Sequence, residues 1–192
     1  MKKMLLGLFL IICACSFRSP NSQFYMLSSQ GLPVLSEKNM SIAVAKVKVP
    51  DMLDKSQMVI YDGDSNGEVA EVKILEFQRW AEVYPDMLQN TITNDLIAYL
   101  PNAYVERTYF DSNKATYSVN IEVNQLKAYK NDKVVLSVWW NVRNAKGNII
   151  ERKQSMFEAK VEGRSISDLV AAQSNAVHKL SREIAEYLIS LR

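Results

Sequence analysis

The strongest constraint on the fold is an alternation of apolar and polar residues that begins at Tyr117. Tyr117, Val119, Ile121 and Val123 are separated by a polar residue at each intervening position. Because successive side chains of a β-strand point to opposite faces, this alternation predicts a strand with one face in the core and one in water. Such a strand is typical of an antiparallel sheet that is covered on one side only.

Two further strands follow this one after short turns. A turn at Asn131 and Asp132 leads to a strand that places valine, leucine and tryptophan on one face, ending near Val142. A second turn with Gly147 leads to a third strand that runs to about Val161. The pattern predicts a three-stranded antiparallel meander over about residues 116–161.

Two segments have the spacing of amphipathic helices. The first, about residues 85–100, begins with Pro85 and has leucine or isoleucine at every fourth position from Leu88. The second, about residues 165–191, can be capped by Ser165 or Ser167. Its apolar stripe consists of Ile166, Leu169, Val170, Val177, Leu180, Ile184, Leu188 and Leu191.

Shorter strands are predicted before the first helix, and all elements together indicate one α/β domain. The predicted fold packs the two helices on a mixed or antiparallel sheet that contains the meander. The early strands are Gln23–Ser28, Ser41–Val49, Gln57–Tyr61 and Val69–Leu75.

The first residues have the features of a lipoprotein signal peptide. Lys2 and Lys3 precede an apolar run of nine residues, Met4–Ile12, which is shorter than the roughly 20 residues that a membrane-spanning helix needs. Cleavage after the small residue Ala14 would expose Cys15, and the sequence around it resembles a bacterial lipobox. Cys15 is therefore the predicted lipidation site, bearing a diacylglycerol and an N-acyl chain such as palmitate. Lipidation at Cys13 and an ordinary signal peptide are the alternatives.

These features predict three segments: a signal peptide in residues 1–14, a lipidated tether in residues 15–22 and a folded domain in residues 23–192. Both cysteines lie in the leader region, so the domain must be stable without a disulfide. The position after Cys15 is occupied by Ser16. In enteric-type bacteria an aspartate at this position retains a lipoprotein in the inner membrane. The expected location is the periplasmic side of the outer membrane.

Catalytic, metal and nucleic-acid sites are not indicated. The net charge of +2 equals the contribution of Lys2 and Lys3, so the mature chain has no basic excess for nucleic acid.

The single histidine, His178, is expected at the boundary of the apolar stripe, where its replacement by alanine would change stability by less than about 1 kcal/mol. Acidic residues around Gly63 only faintly resemble a calcium loop, and a solvated turn is preferred. The chain is thus predicted to be no enzyme and to need no cofactor. A lipid-anchored hydrolase is a weak alternative.

Tryptophan and arginine are the best candidates for a partner-binding surface. Trp139 and Trp140 are adjacent in one predicted strand and must point to opposite faces, so one of them should lie in the core. Arg79 and Trp80 precede the first helix. One interpretation is that the two residues contact a partner. The other, which is preferred, is that Trp80 packs in the core beside a local salt bridge at the start of the helix.

The order of motifs along the chain resembles the ABC-type transport auxiliary lipoprotein family, which includes the PqiC (YmbA) lipoproteins. The most specific segments are Pro50-Asp51-Met52-Leu53-Asp54 and Arg79-Trp80-Ala81-Glu82. They follow a lipobox and precede the two helices. The segment Val83-Tyr84-Pro85 departs from the family pattern, in which Pro-Leu would directly follow the glutamate.

The resemblance implies a non-catalytic partner of a transport system. Such systems combine an ABC permease or a related inner-membrane protein with an MCE-type (mammalian cell entry) protein that crosses the periplasm. The implied function is auxiliary to lipid transport between the membranes, for envelope integrity, with self-association left open. The alternative is a structural assembly lipoprotein such as a pilotin of a secretion channel.

Overall fold

The alternating segments pair into two sheets, flanked by two helices. The computed structural model describes residues 20–29, 31–63, 65, 71–108 and 115–191. The strands are β1 (Gln23–Tyr25), β2 (Ser41–Ala45), β3 (Gln57–Asp62), β4 (Glu71–Trp80), β5 (Tyr104–Thr108), β6 (Tyr117–Ala128), β7 (Lys133–Asn144) and β8 (Ile149–Lys160). The helices are α1 (Tyr84–Tyr99) and α2 (Ile166–Ser190).

The larger sheet has five strands in the order β5-β2-β6-β7-β8. Its β6-β7-β8 part is antiparallel and confirms the predicted meander. β2 pairs in parallel with both β5 and β6, so the sheet is mixed. The smaller sheet has the order β1-β4-β3, with β1 parallel and β3 antiparallel to β4. These elements confirm the predicted α/β class.

Both helices lie on one face of the five-stranded sheet. Helix α1 packs on β2 and β5, helix α2 packs on β7 and β8, and the two helices contact each other. The predicted apolar positions of α1, from Leu88 to Leu100, are all buried. In the stripe of α2, Leu180, Ile184 and Leu188 are at most 1% exposed. Burial of these two helical stripes forms the main core between the helices and the sheet.

A capping box fixes the start of α2. Ser165 Oγ accepts a hydrogen bond from Asp168 N at 3.1 Å, and Ser165 N donates to Asp168 Oδ2 at 2.8 Å. Each side chain thereby satisfies a backbone N–H that has no partner within the helix. Of the two predicted caps, the structure selects Ser165.

Several predicted strand bounds were wrong. The first strand ends at Tyr25, and the second ends at Ala45, after which Lys48 makes only an isolated bridge to Glu122. Strand β4 continues five residues beyond Leu75, because its second half pairs with β1. Strand β5 was not predicted at all. It is a short edge strand without clear alternation, and its parallel pairing with β2 depends on tertiary contacts.

Candidate partner-binding surface

The two adjacent tryptophans of β7 divide between the two faces of the sheet, as predicted. Trp140 faces the helices and is 1% exposed, whereas Trp139 faces away from them and is 38% exposed. Around Trp139 the outer face of β6, β7 and β8 carries exposed side chains such as Glu122, Arg152 and Met156. Trp139 is therefore the tryptophan that a partner could contact.

Trp140 connects the sheet to α2 through a partly buried polar cluster. Its Nε1–H lies 3.0 Å from Glu183 Oε1 and 3.1 Å from Ser155 Oγ, and it donates to both. Ser155 Oγ also donates to Glu183, and Lys153 Nζ lies 3.0 Å from Glu183 Oε2. Burial acts to raise the pKa of Glu183, but the hydrogen bonds from Ser155, Lys153 and Trp140 outweigh it and lower that pKa. These contacts give Trp140 a structural role.

Arg152 lies over the exposed ring of Trp139. The guanidinium carbon is 5.3 Å from the ring centroid, within the range of a cation–π contact. The two residues belong to neighbouring strands, where Trp139 pairs with Gln154 and Asn141 pairs with Arg152. The contact holds an aromatic ring and a cation together on the exposed face, and tryptophan and arginine are both enriched among the residues that anchor protein interfaces.

A cavity of about 180 Å³ adjoins Trp139 on this face. β6 and β7 contribute Asn120 and Asn141, whose side chains are hydrogen-bonded at 3.3 Å. Most of the charged side chains that line the cavity are basic, and they come from the segment after β2, from β7 and from β8. These residues are Lys46, Lys48, Arg143 and Arg152, with Glu122 as the acidic member of the lining.

Arg79 and Trp80 lie in the smaller sheet, at the end of β4, and the fold does not bring them to Trp139. Trp80 is 5% exposed and stacks on Tyr84 with the ring centroids 5.0 Å apart. Arg79 Nε donates to the carbonyl of Glu76 at 3.0 Å. Trp80 thus packs as the preferred interpretation expected, but the expected salt bridge is missing, because Arg79 forms no ion pair among the described residues and stays partly accessible.

The sequence did not single out the exposed apolar residues of the first strand and the segment after it. Phe24 is 65% exposed and Met26 is 54% exposed. A strand was correctly predicted to start at Gln23, but the sequence pattern alone cannot show whether a strand lies at the edge or in the centre of a sheet. Its place at the edge of the three-stranded sheet leaves these side chains uncovered.

His178 contacts a buried carboxylate, which the sequence did not predict. Its Nδ1 lies 2.9 Å from Asp95 Oδ2, and Tyr99 Oη donates to the His178 carbonyl at 3.3 Å. His178 and Tyr99 line a cleft of about 410 Å³, whose described lining contains no serine, threonine or cysteine.

The described residues offer neither a metal-binding cluster nor a membrane-spanning helix. Among those residues, no cluster of three or more histidine, cysteine, aspartate or glutamate side chains could hold a metal ion. Asp62 belongs to the calcium-like turn and forms an ion pair with Lys73, while Asp64 and Glu68 lie outside the described residues. No helix in the described ranges is long and apolar enough to cross a membrane. Cys13 and Cys15 also lie outside them.

Comparison with known proteins identifies relatives of the whole folded region. The family model described as "ABC-type transport auxiliary lipoprotein component" matches residues 25–185. A crystal structure of an uncharacterized protein superposes with a TM-score of 0.71 at 21% identity, covering 88% of this chain and 99% of that one. The structure of a protein from Xanthomonas campestris superposes with a TM-score of 0.68 at 13% identity, covering 86% and 94%. No curated protein matches the sequence significantly.

Proposed function

This chain belongs to the ABC-type transport auxiliary lipoprotein component family, and from that membership we propose a specific function for it. It is a non-catalytic docking subunit that holds the periplasmic part of a lipid transport system at the outer membrane. Its partner is an MCE-type protein that extends from the inner membrane. The lipids on Cys15 would lie in the outer membrane, and the folded domain would provide the docking surface.

The observation that carries the proposal is the Trp139–Arg152 pair on the open face of the sheet. The other two tryptophans, Trp80 and Trp140, are at most 5% exposed and are held by internal contacts. Trp139 leaves 38% of its surface in water, apolar area that a bound partner would bury. Such a ring, paired with an arginine, is the usual anchor of a protein interface, and Met156 extends it on the neighbouring strand.

The anchor is proposed at Cys15. A diacylglycerol and an N-acyl chain together hold a protein on a membrane much longer than a single chain does. The tether of residues 15–22 ends where β1 begins at Gln23. The eight tether residues span at most about 28 Å when fully extended, so the domain would stay close to the lipid surface. Ser16 supports transport onward to the outer membrane.

Co-purification tests the docking function. We expect the wild-type lipoprotein to retain an MCE-type protein from solubilised envelopes and Trp139→Ala to retain much less. Ile97→Ala is the matched control, because Ile97 is an exposed apolar residue of α1. Arg79→Ala tests the other candidate surface. Thermal melting of each variant must show a folded protein before its binding is compared.

Three outcomes would contradict the proposal in different ways. Retention of a secretion-channel protein in place of an MCE-type protein would support the assembly-lipoprotein alternative. Equal retention by Trp139→Ala and wild type would place the interface elsewhere. A loss in the Ile97→Ala control as large as in Trp139→Ala would show that the assay reports general surface hydrophobicity.

The anchor needs a separate test. We expect labelled fatty acid to be incorporated into the wild type and into Cys13→Ala, but not into Cys15→Ala. Label that persists in Cys15→Ala and disappears in Cys13→Ala would move the site to Cys13. Label in neither wild type nor variants would favour an ordinary signal peptide.

A further inference from the structure

We propose that the cavity beside Trp139 is a binding site for a phosphate group. Four cationic side chains and one carboxylate line a cavity of about 180 Å³, although the mature chain as a whole has no basic excess. The inference does not rest on the proposed docking function, because phosphate binding is a property of this chain alone and is measured without a partner.

The cations of the cavity are poorly neutralised by the protein itself. No carboxylate in the described part of the chain comes within ion-pair distance of Lys48, Arg143 or Arg152. Lys46 is the exception, because it forms a partly exposed ion pair with Asp86, whose Oδ1 lies 3.6 Å from its Nζ. Unpaired like charges around one small volume repel each other, and an anion between them removes this repulsion.

Backbone pairing fixes the places of the two lysines. Val47 is 2% exposed, so Lys46 and Lys48, on either side of it, both project outward. Lys48 N donates to the Ile121 carbonyl at 3.0 Å, and Val123 N donates to the Lys48 carbonyl at 2.8 Å. These two bonds attach the segment after β2 to β6 and hold Lys48 beside the cavity.

The two arginines are also held in position. The guanidinium carbon of Arg152 lies 5.3 Å from the ring centroid of Trp139, and Arg143 Nη1 donates to the Gly147 carbonyl at 3.0 Å. A guanidinium fixed by one contact retains further N–H groups for an anion. Less conformational freedom is then lost when the anion binds.

A compact, highly charged anion fits this site better than a peptide carboxylate. A phosphate group offers several acceptor oxygens and carries up to two negative charges, which matches an excess of cations around a small volume. Asn120 and Asn141 add neutral polar groups to the lining. A single carboxylate carries one charge and two oxygens, and would leave more of the cations unpaired.

The phosphate can come from two sources, a lipid headgroup or free phosphate, and the experiment separates them. Purified full-length lipoprotein in nonionic detergent is titrated with inorganic phosphate or with dihexanoyl phosphatidic acid, a lipid whose phosphomonoester also carries up to two charges, at constant ionic strength set with chloride. Calorimetry gives the affinity. Acrylamide quenching of tryptophan fluorescence gives a second signal, because Trp139 is far more exposed than Trp80 or Trp140.

We expect saturable binding that protects Trp139 from acrylamide. Arg152→Gln and Lys48→Gln should each weaken it by about tenfold, since each removes a charged hydrogen-bond donor. Arg164→Gln, in the exposed loop before α2, is the matched control and should bind as the wild type does. Both cavity variants change exposed side chains, and thermal melting checks that they remain folded.

Tighter binding of the phospholipid than of phosphate supports a lipid headgroup as the ligand, and equal affinity supports free phosphate. The proposal is overturned if neither probe binds beyond the chloride background. It is also overturned if Arg164→Gln weakens binding as much as the cavity variants do. A hexaglutamate peptide that binds through Arg152 and Lys48 while both phosphate probes fail would assign the cavity to an acidic protein segment.

Discussion

His178 Nδ1 lies 2.9 Å from Asp95 Oδ2, joining α2 to α1. The Asp95 side chain is completely buried, while His178 is 14% exposed at its side chain. The other carboxylate oxygen, Oδ1, has no hydrogen-bond partner among the described residues. His178 is therefore the main group that compensates a buried carboxylate, and it is more than a boundary residue of the helix.

We predict that His178→Ala lowers the free energy of unfolding by about 2–3 kcal/mol, because it leaves the Asp95 carboxylate buried without a partner. This replaces the loss below about 1 kcal/mol that the sequence alone predicted. Urea unfolding of His178→Ala, Asp95→Ala and the double variant measures the effect. In the double variant the two losses should be clearly less than additive. Additive losses, or a loss below about 1 kcal/mol in His178→Ala, would contradict the pairing.

Leu180→Asp should prevent stable folding. Leu180 is 1% exposed within the core, and an unpaired carboxylate there costs several kcal/mol, which approaches the total stability of a domain of this size. Circular dichroism and the yield of folded protein measure the outcome. Asn175→Asp, on the exposed side of the same helix, adds the same carboxylate and should fold. A cooperative thermal transition near that of wild type in Leu180→Asp would show that the helix does not pack as described.

The partly buried cluster around Glu183 should make stability depend on pH in the acidic range. Because the pKa of Glu183 is lowered in the folded state, its contribution is complete above the unfolded value, about 4.3. It is lost as the pH falls through the lower folded value. Unfolding free energies between about pH 3 and 7 should therefore show Glu183→Gln less stable than wild type at neutral pH, with the difference shrinking in acid.

Glu162→Gln is the control for this measurement, because Glu162 faces Lys160 at 3.5 Å with both side chains more than three quarters exposed. Its effect should be small at every pH. A difference between Glu183→Gln and wild type that stays constant down to the lowest pH would mean that the carboxylate charge does not stabilise the Trp140 cluster.

The capping box of α2 gives the fourth prediction. Ser165→Ala should destabilise the domain by about 1 kcal/mol, since it removes the acceptor for Asp168 N. Gly163→Ala should disturb the same cap, because an added Cβ would lie 2.2 Å from Asp168 Oδ2. Ser167→Ala is the control, since Ser167 is the cap that the structure did not select. Thermal melting that ranks Ser167→Ala as the most damaging of the three would contradict the assigned cap.

Much of the secondary structure followed from local periodicity. The alternation from Tyr117 predicted the meander, and the four-residue spacing from Leu88 predicted α1 to within one residue at each end. These patterns are reliable because a strand or helix with one apolar face has only one way to bury it. The opposite faces of Trp139 and Trp140 followed from the same geometry, before any tertiary contact was known.

The pairing of distant segments was decided only by the tertiary structure. The extension of β4 depends on β1, more than fifty residues earlier in the chain, and β5 exists as a strand because β2 offers it a parallel edge. The same holds for the candidate site. Lys48, Trp139 and Arg152 line one cavity because the segment after β2 pairs with β6, and β7 and β8 follow β6 in the sheet. Periodicity assigns a residue to a face, but hydrogen-bond pairing between strands determines which residues become neighbours on that face.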